Sequence, residues 1–168
     1  MQPVLRRWRM DDLEPLVRYA NNRNIWHNLR DRFPHPYTRA HGEEWLMRQT
    51  HAREPLMNFA IGHDDQFVGG IGFERFDDVN RLTCEIGYWV AEPFWGRGIA
   101  SLALSEAAAY AFEHFDFERV QATVFAWNVA SARVLEKCGF ALEARLRRNV
   151  IKDGQFTDTL MYVRLREH

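Results

Sequence analysis

The chain has 168 residues and a mass of 19.9 kDa, a length that fits one domain, residues 1–168, and hardly two. Its 22 Lys and Arg residues against 23 Asp and Glu residues give a net charge of −1, which excludes a generic polyanion binder, because such a protein carries a basic excess. Cys84 and Cys138 are too few for a disulfide framework and fit a reducing compartment. No apolar run approaches the ~20 residues that span a bilayer. The sequence therefore predicts a cytoplasmic protein.

The N-terminal third is predicted to contain one strand and two helices. Val4–Trp8 is typical of a short strand, and the apolar residues that follow recur at helical spacing as far as Ala20. A second helix is predicted from Thr38, which can cap it, to about Thr50. Between these helices, Ile25–Tyr37 mixes aromatic, charged and proline residues too irregularly for a single element.

In the rest of the chain the apolar residues recur at a different spacing, and this pattern predicts a sheet with helices on its faces. Three strands with short, turn-rich connections form an antiparallel meander: Asn58–His63, Phe67–Phe76 and Leu82–Val90. A long helix, a strand, a helix and a final hairpin follow: Gly98–Phe115, Arg119–Ala126, a helix opened by Asn128, and Ala141–Lys152 with Gln155–Arg166. This order predicts an α+β fold with a mixed, mostly antiparallel sheet of about seven strands.

The sharpest local feature is the turn between the strand that ends at Val90 and the long helix. Gly96 and Gly98 let the backbone direct its N–H groups toward one point, and the helix N-terminus adds partial positive charge, so the turn can hold a pyrophosphate. Arg97 adds a full charge, although an isolated Gly-x-Gly is also compatible with a tight turn that binds nothing. A P-loop is excluded because Ile99-Ala100 replaces its Lys-Ser/Thr pair, and the third glycine of a dinucleotide fingerprint is missing.

Trp95–Ala100 resembles the acetyl-CoA pyrophosphate loop of the GNAT N-acetyltransferase superfamily. Asn128–Phe140 resembles the second motif of that fold, and Cys84–Trp89 extends the likeness, which covers essentially the whole chain. These details resemble the ribosomal-protein N-acetyltransferase (RimJ/RimL-type) branch, which also contains acetyltransferases for small amines. Trp95 stands where the family usually has Gln or Arg, so the backbone amides and Arg97 must supply the phosphate contacts.

The resemblance implies the acyl-CoA N-acyltransferase fold, acetyl-CoA as co-substrate, and transfer of an acetyl group to a primary amine of a protein N-terminus or small molecule. It implies that acetyl-CoA is bound by Trp89, Val90, Trp95, Gly96, Arg97, Gly98, Ile99, Ala100 and Asn128. No metal site is expected, because the seven histidines show neither His-x-His nor His-Glu-x-x-His spacing. An alternative of a different class is a degenerate acetyl-CoA sensor without turnover, suggested by Trp95 and Leu135 at places where the family usually has functional side chains.

Acetyl transfer needs a deprotonated amine, a polarised thioester and a stabilised leaving thiolate. Glu85 is the candidate base, because it interrupts a mostly apolar strand beside Gly87, which would mark a bulge, and because a family carboxylate on this strand often acts through water. Alternatively, Glu85 faces solvent or pairs with an arginine on the adjacent strand. Leu135 replaces the tyrosine that serves much of the superfamily as the acid. Ser131 matches the serine of RimL-type enzymes, although a serine at a helix start often only satisfies backbone groups.

Acceptor recognition is expected on the irregular segment and on the closing hairpin, Arg147–Asp158. Trp26, His27, Asp31 and Phe33 are aromatic and polar residues of a loop, where binding residues concentrate, and the Asp31 carboxylate could hold a protonated amine. The aromatic residues could equally cover the core. The sequence does not identify the acceptor, predicts no binding to nucleic acid or membrane, and leaves room for a homodimer.

Overall fold

A computed structural model describes residues 3–168, in which seven strands form one sheet and five α-helices accompany it. The strands are β1 Val4–Arg6, β2 Asn58–His63, β3 Gln66–Arg75, β4 Thr83–Val90, β5 Arg119–Phe125, β6 Ala141–Lys152 and β7 Gln155–Leu165. The helices are α1 Leu13–Ala20, α2 Arg23–Trp26, α3 Arg39–Thr50, α4 Ile99–His114 and α5 Val129–Lys137. Within residues 3–168 no helix combines the length and the apolar character needed to cross a bilayer.

The sheet has the spatial order β1-β2-β3-β4-β5-β7-β6. Strands β4 and β5 pair in parallel, and every other neighbouring pair of the described residues is antiparallel. The mixed, mostly antiparallel seven-stranded sheet predicted from the sequence is therefore confirmed. Among the five α-helices, the sequence pattern did not predict the single turn α2, whose first N–H groups are satisfied by the Asn22 side chain.

Two hydrophobic clusters cover the two faces of the sheet. Successive residues of a strand point to opposite faces, and in β2 Phe59 and Ile61 join the larger cluster while Ala60 joins the smaller one. The larger cluster contains the buried side of α4, whose many alanines favour a helix and allow close packing. The smaller cluster joins α1 and α3 to the other face through Trp8, Leu16 and Leu46, all of which are buried.

Strands β4 and β5 separate part-way along their length, and this separation positions the candidate site. Their parallel pairing covers Thr83–Glu85 on β4, whereas β4 continues to Val90 and β5 continues to Phe125. Beyond Glu85 the two strands therefore enclose a gap in the sheet. The bulge expected at Gly87 is wrong, because the pairing of β3 with β4 runs through Gly87 without a shift in register. The missing side chain instead leaves open space, since a Cβ at Gly87 would meet no heavy atom within 4 Å.

Candidate functional site

The turn between β4 and α4 has the geometry of an anion-binding loop. Gly96 and Gly98 have φ angles of +74° and +76°, and a Cβ on either would meet no heavy atom within 4 Å. Gly98 is the N-cap of α4, and the first N–H groups of an α-helix have no partner within the helix. Two left-handed residues thus lead the backbone into α4, and open space adjoins both glycines at the end of the helix where the first N–H groups lack an intrahelical partner. A ligand that accepts several hydrogen bonds fits this cradle.

The side chains around this loop contribute differently from its backbone. Arg97 is exposed and lies over the ring of Phe94, with 5.3 Å from its guanidinium carbon to the ring centroid. The indole N–H of Trp95 donates a hydrogen bond of 2.6 Å to the carbonyl oxygen of Val90. This bond fixes the indole against the end of β4. The only full charge that the segment Trp95–Ala100 offers to an anion is therefore that of Arg97.

Trp89 on β4 and Asn128 at the start of α5 lie on the two sides of the gap. Trp89 is half-buried on β4 and contacts the rings of Phe33 and Phe67 edge-on, with centroids 5.8 and 5.9 Å apart. Asn128 caps α5, since its side-chain oxygen accepts a hydrogen bond from the N–H of Ser131. The capping role that the sequence allows for Asn128 is confirmed, and this role places the Asn128 side chain at the start of α5.

Glu85 lies where the pairing of β4 with β5 ends, and its carboxylate is surrounded by donors. Thr123 donates a hydrogen bond of 2.8 Å to its Oε1, Gln121 donates one of 3.2 Å to its Oε2, and Arg30 forms an ion pair with Oε1. A carboxylate offers about four acceptor positions, so one remains for a water or a substrate. The structure therefore contains the arginine pair considered for Glu85, although the arginine comes from the loop after α2 and not from a neighbouring strand.

Ser131 is in the first turn of α5, and its hydroxyl meets a partner from across the gap. The hydroxyl of Tyr88 on β4 lies 2.7 Å from Ser131 Oγ. Burial raises the pKa of Tyr88 to about 12, although the hydrogen bond with Ser131 acts in the opposite direction. Tyr88 therefore stays protonated through the physiological range and has an O–H to donate.

The four residues expected to bind the acceptor lie close to the site but already have partners in the protein. His27 stacks on Trp127 with ring centroids 4.6 Å apart, and Phe33 packs on Tyr37 and Trp89. Trp26 and Asp31 both contact Lys152, which comes from the end of β6.

Lys152 is a buried cation between the irregular loop and the closing hairpin. Its ammonium donates a hydrogen bond of 2.8 Å to Asp31 Oδ1 and lies 3.8 Å from the centroid of the Trp26 ring. The Lys152 side chain is 1% exposed, whereas that of Asp31 is 75% exposed. The amine held by Asp31 in this structure is therefore an internal one, and an acceptor amine would compete with it or use the exposed side of the carboxylate.

Neither cysteine has the surroundings of a nucleophile. Cys84 is buried on β4, and burial raises the pKa of its thiol to about 12, so the thiol stays protonated. Cys138 is buried at the end of α5 and donates a hydrogen bond to the carbonyl of Ser101. Across residues 3–168, no three His, Cys, Asp or Glu side chains converge as metal ligands.

Three residues of the site were missed from the sequence. Arg30 and Lys152 belong to segments that the sequence analysis assigned only broadly to acceptor recognition, and their partners are 55 and 121 residues away along the chain. Tyr88 was missed because a tyrosine in a strand is ordinarily interpreted as part of the core. Its position on the same strand as Glu85 was the one available signal.

Comparisons with known proteins identify the family to which this chain is similar. The family model of the acetyltransferase (GNAT) domain matches residues 4–141. The uncharacterized N-acetyltransferase YoaA of Bacillus subtilis (strain 168) is 36% identical over 97 residues, which are 58% of this chain and 54% of that protein. The ribosomal-protein-serine acetyltransferase of Escherichia coli (strain K12) is 30% identical over 115 residues, 68% of this chain and 64% of that protein. The chain thus spans about half to two thirds of the length of these curated relatives.

A solved structure extends the likeness to the whole fold. RimJ of Mycobacterium smegmatis, in complex with CoA-disulfide, superimposes with a TM-score of 0.84 at 27% sequence identity. The superposition covers 97% of this chain and 81% of that chain. The acyl-CoA N-acyltransferase fold predicted from the sequence is confirmed.

Proposed function

Since the chain belongs to the GNAT acetyltransferase family, we propose that it transfers the acetyl group of acetyl-CoA to the nitrogen of a primary amine, on a protein N-terminus or on a small molecule. The observation that carries this proposal is the juxtaposition of an open anion-binding loop with a gap between β4 and β5. A long ligand with a pyrophosphate at one point and a reactive thioester beyond it matches that arrangement. The same chemistry supports the cytoplasm, which supplies acetyl-CoA, as its compartment.

The binding residues divide into an anion-binding part and an arm-binding part. The backbone of Gly96–Ala100 and the Arg97 side chain would hold the pyrophosphate, because both provide donors or positive charge beside open space. The arm that carries the thioester would lie along the part of β4 that is not paired with β5, near Trp89 and Val90, and reach the Asn128 amide. Trp95 would contribute shape and no charge, since its indole N–H already donates to Val90.

The reaction forms one bond and breaks another. The amine nitrogen attacks the thioester carbonyl carbon, a C–N bond forms, and the C–S bond breaks with its electron pair left on sulfur. The amine must first lose a proton, and Glu85 would accept it through a water at its remaining acceptor position. Ser131 would donate a hydrogen bond to the departing sulfur at the N-terminus of α5, where the helix dipole also favours negative charge. The proton lost by the nitrogen finally neutralises the thiolate through solvent.

The relatives support turnover rather than sensing. Leu135 does replace the usual tyrosine, but the Ser131 hydroxyl lies one helical turn earlier on the same helix and is available in its place. The names of the matched curated proteins describe acetyltransferases, and nothing in them supports a sensor.

An acceptor screen with a thiol-release readout tests the proposal. The purified chain is mixed with acetyl-CoA and with peptides of free N-terminus, the same peptides blocked at the N-terminus but containing lysine, and small primary amines. We expect thiol release that depends on one of these classes, with acetylated product found by mass spectrometry. Tight CoA binding without release for every class would instead support the sensor. Failure to bind CoA would overturn the proposal as a whole.

A further inference from the structure

Two hydroxyl groups meet across the gap between β4 and β5, and the proposed reaction uses only one of them. Tyr88 extends from β4 and Ser131 from the first turn of α5, with 2.7 Å between their oxygen atoms. The Tyr88 oxygen also lies 3.5 Å from the Ser131 carbonyl oxygen. The pair therefore connects the strand on one side of the gap to the helix that follows the strand on the other side.

The direction of this hydrogen bond follows from the chemistry of the two groups. A half-buried phenol O–H donates to an acceptor, and the two within reach are Ser131 Oγ at 2.7 Å and the Ser131 carbonyl oxygen at 3.5 Å. The shorter distance favours Oγ as the acceptor. Tyr88 keeps its proton, because burial raises its pKa to about 12. With Tyr88 as donor, Ser131 is the acceptor and its own hydrogen is free for another group. Within residues 3–168, Ser131 Oγ has Tyr88 as its one hydrogen-bond partner, so the second direction is unused.

We propose that Tyr88 is a positioning residue, whose hydroxyl holds Ser131 in the rotamer that directs the serine O–H toward the sulfur of the departing CoA. This inference rests on the proposed function, because it assumes that the thioester reaches the start of α5. A hydroxyl that accepts one hydrogen bond becomes a better donor of another. The hydrogen bond from Tyr88 to Ser131 therefore strengthens the hydrogen bond from Ser131 to the sulfur. Proton transfer through the chain is unnecessary, since a thiolate is a far weaker base than a serine alkoxide.

The experiment uses CoA and desulfo-CoA, which lacks the sulfur, and needs no acceptor. Their affinities for the purified chain are compared by calorimetry at pH 7 and pH 9, since the CoA thiol ionises across this range. The ratio of the two affinities isolates the interaction with sulfur from the contacts of the pyrophosphate. The variants are Tyr88→Phe, Ser131→Ala and the double variant. The titratable group that faces Tyr88 from α5 is the Cys138 thiol. A reductant is present throughout to keep this thiol reduced.

A matched control is provided by another tyrosine that contacts α5. Tyr162 is buried and its hydroxyl donates a hydrogen bond of 3.0 Å to Glu136 Oε1, in the last turn of α5. Tyr162→Phe therefore removes the same atom from the same helix interface, but at the end remote from Ser131. Thermal melting of each variant shows that it is folded.

For the wild type, we expect the ratio of the affinity for CoA to the affinity for desulfo-CoA to rise from pH 7 to pH 9. Ser131→Ala should lower the ratio at pH 9 roughly 10- to 100-fold, as expected for a hydrogen bond to a charged group. Tyr88→Phe should lower it roughly 2- to 10-fold, as expected for a neutral hydrogen bond. The double variant should lose no more than Ser131→Ala alone, because Tyr88 acts through Ser131. Tyr162→Phe should keep the wild-type ratio.

The other outcomes separate failure of this inference from failure of the proposed function. An unchanged ratio in Tyr88→Phe, beside a reduced one in Ser131→Ala, would overturn the positioning role and leave the proposed function intact. An equal loss in Tyr162→Phe would overturn it as well, because the effect would then be structural. A wild-type ratio that does not change with pH would show that the sulfur does not meet Ser131. Absence of CoA binding by the wild type would reject the proposed function itself.

Discussion

Gly98→Val tests the anion-binding loop, because its structural effect can be separated from its effect on binding. Gly98 has a φ of +76°, so any side chain is strained there, but its Cβ would enter open space and would not clash with the protein. A residue other than glycine in the left-handed region costs about 1–3 kcal/mol. A chain of this size loses roughly 2–4 °C of Tm per kcal/mol, which gives a fall of about 2–12 °C.

The effect on binding should exceed this strain. The valine side chain would occupy the space through which a pyrophosphate reaches the backbone N–H groups. Each hydrogen bond to a charged group contributes about 1.5–3 kcal/mol, so the loss of one weakens binding roughly 10- to 100-fold. The affinity for CoA is measured by calorimetry, and the Tm by scanning fluorimetry.

Gly154→Val is the matched control for this variant. Gly154 has a φ of +75° and equally open space at its Cβ, but it lies in the turn between β6 and β7. It should show a similar fall in Tm and an unchanged affinity for CoA. Wild-type affinity in a folded Gly98→Val variant would refute the assignment of the loop, and so would an equal loss of affinity in Gly154→Val.

Three further predictions concern the chemistry and the acceptor. Ser131→Ala should lower kcat more than it weakens CoA binding at pH 7, where the CoA thiol is mostly protonated, and full turnover would reduce Ser131 to a helix-start residue. Glu85→Gln should lower the rate roughly 10²–10⁴-fold at pH values where the acceptor amine is protonated, with a smaller loss above the pKa of that amine; a loss independent of pH would indicate that Glu85 holds the site in shape. If Asp31 binds the acceptor, Lys152→Met should lower the KM for a cationic amine by removing the internal competitor, whereas Asp31→Asn should raise it; unchanged KM values in both would remove Asp31 from the acceptor site.

Local patterns were sufficient to predict most of the fold. The alternation of apolar residues and the turn chemistry gave β2, β3 and the β6–β7 hairpin almost to the residue, because strand period and hairpin turns are properties of short segments. Thr38 was predicted to cap α3 and does so, accepting a hydrogen bond from the N–H of His41. The loop at Gly96 and Gly98 could equally be predicted, because glycine is the residue that most readily adopts positive φ angles.

The pairs that define the candidate site could not be predicted in this way. Glu85 meets Arg30, Asp31 meets Lys152, and Tyr88 meets a serine on α5, each across a large separation in sequence. No periodicity encodes such contacts, because they depend on how the loop after α2 and the β6–β7 hairpin pack against the sheet. The bulge expected at Gly87 failed for a related reason, since a glycine in a strand marks either a bulge or open space and only the pairing of β3 distinguishes them.

A crystal structure of the chain with bound acetyl-CoA tests the central claim most directly. The account predicts the pyrophosphate on the backbone of Gly96–Ala100, the thioester in the gap between β4 and β5, and the sulfur within hydrogen-bonding distance of Ser131 Oγ. Acetyl-CoA bound away from the loop, or with its sulfur on the far side of β4 from Ser131, would contradict it.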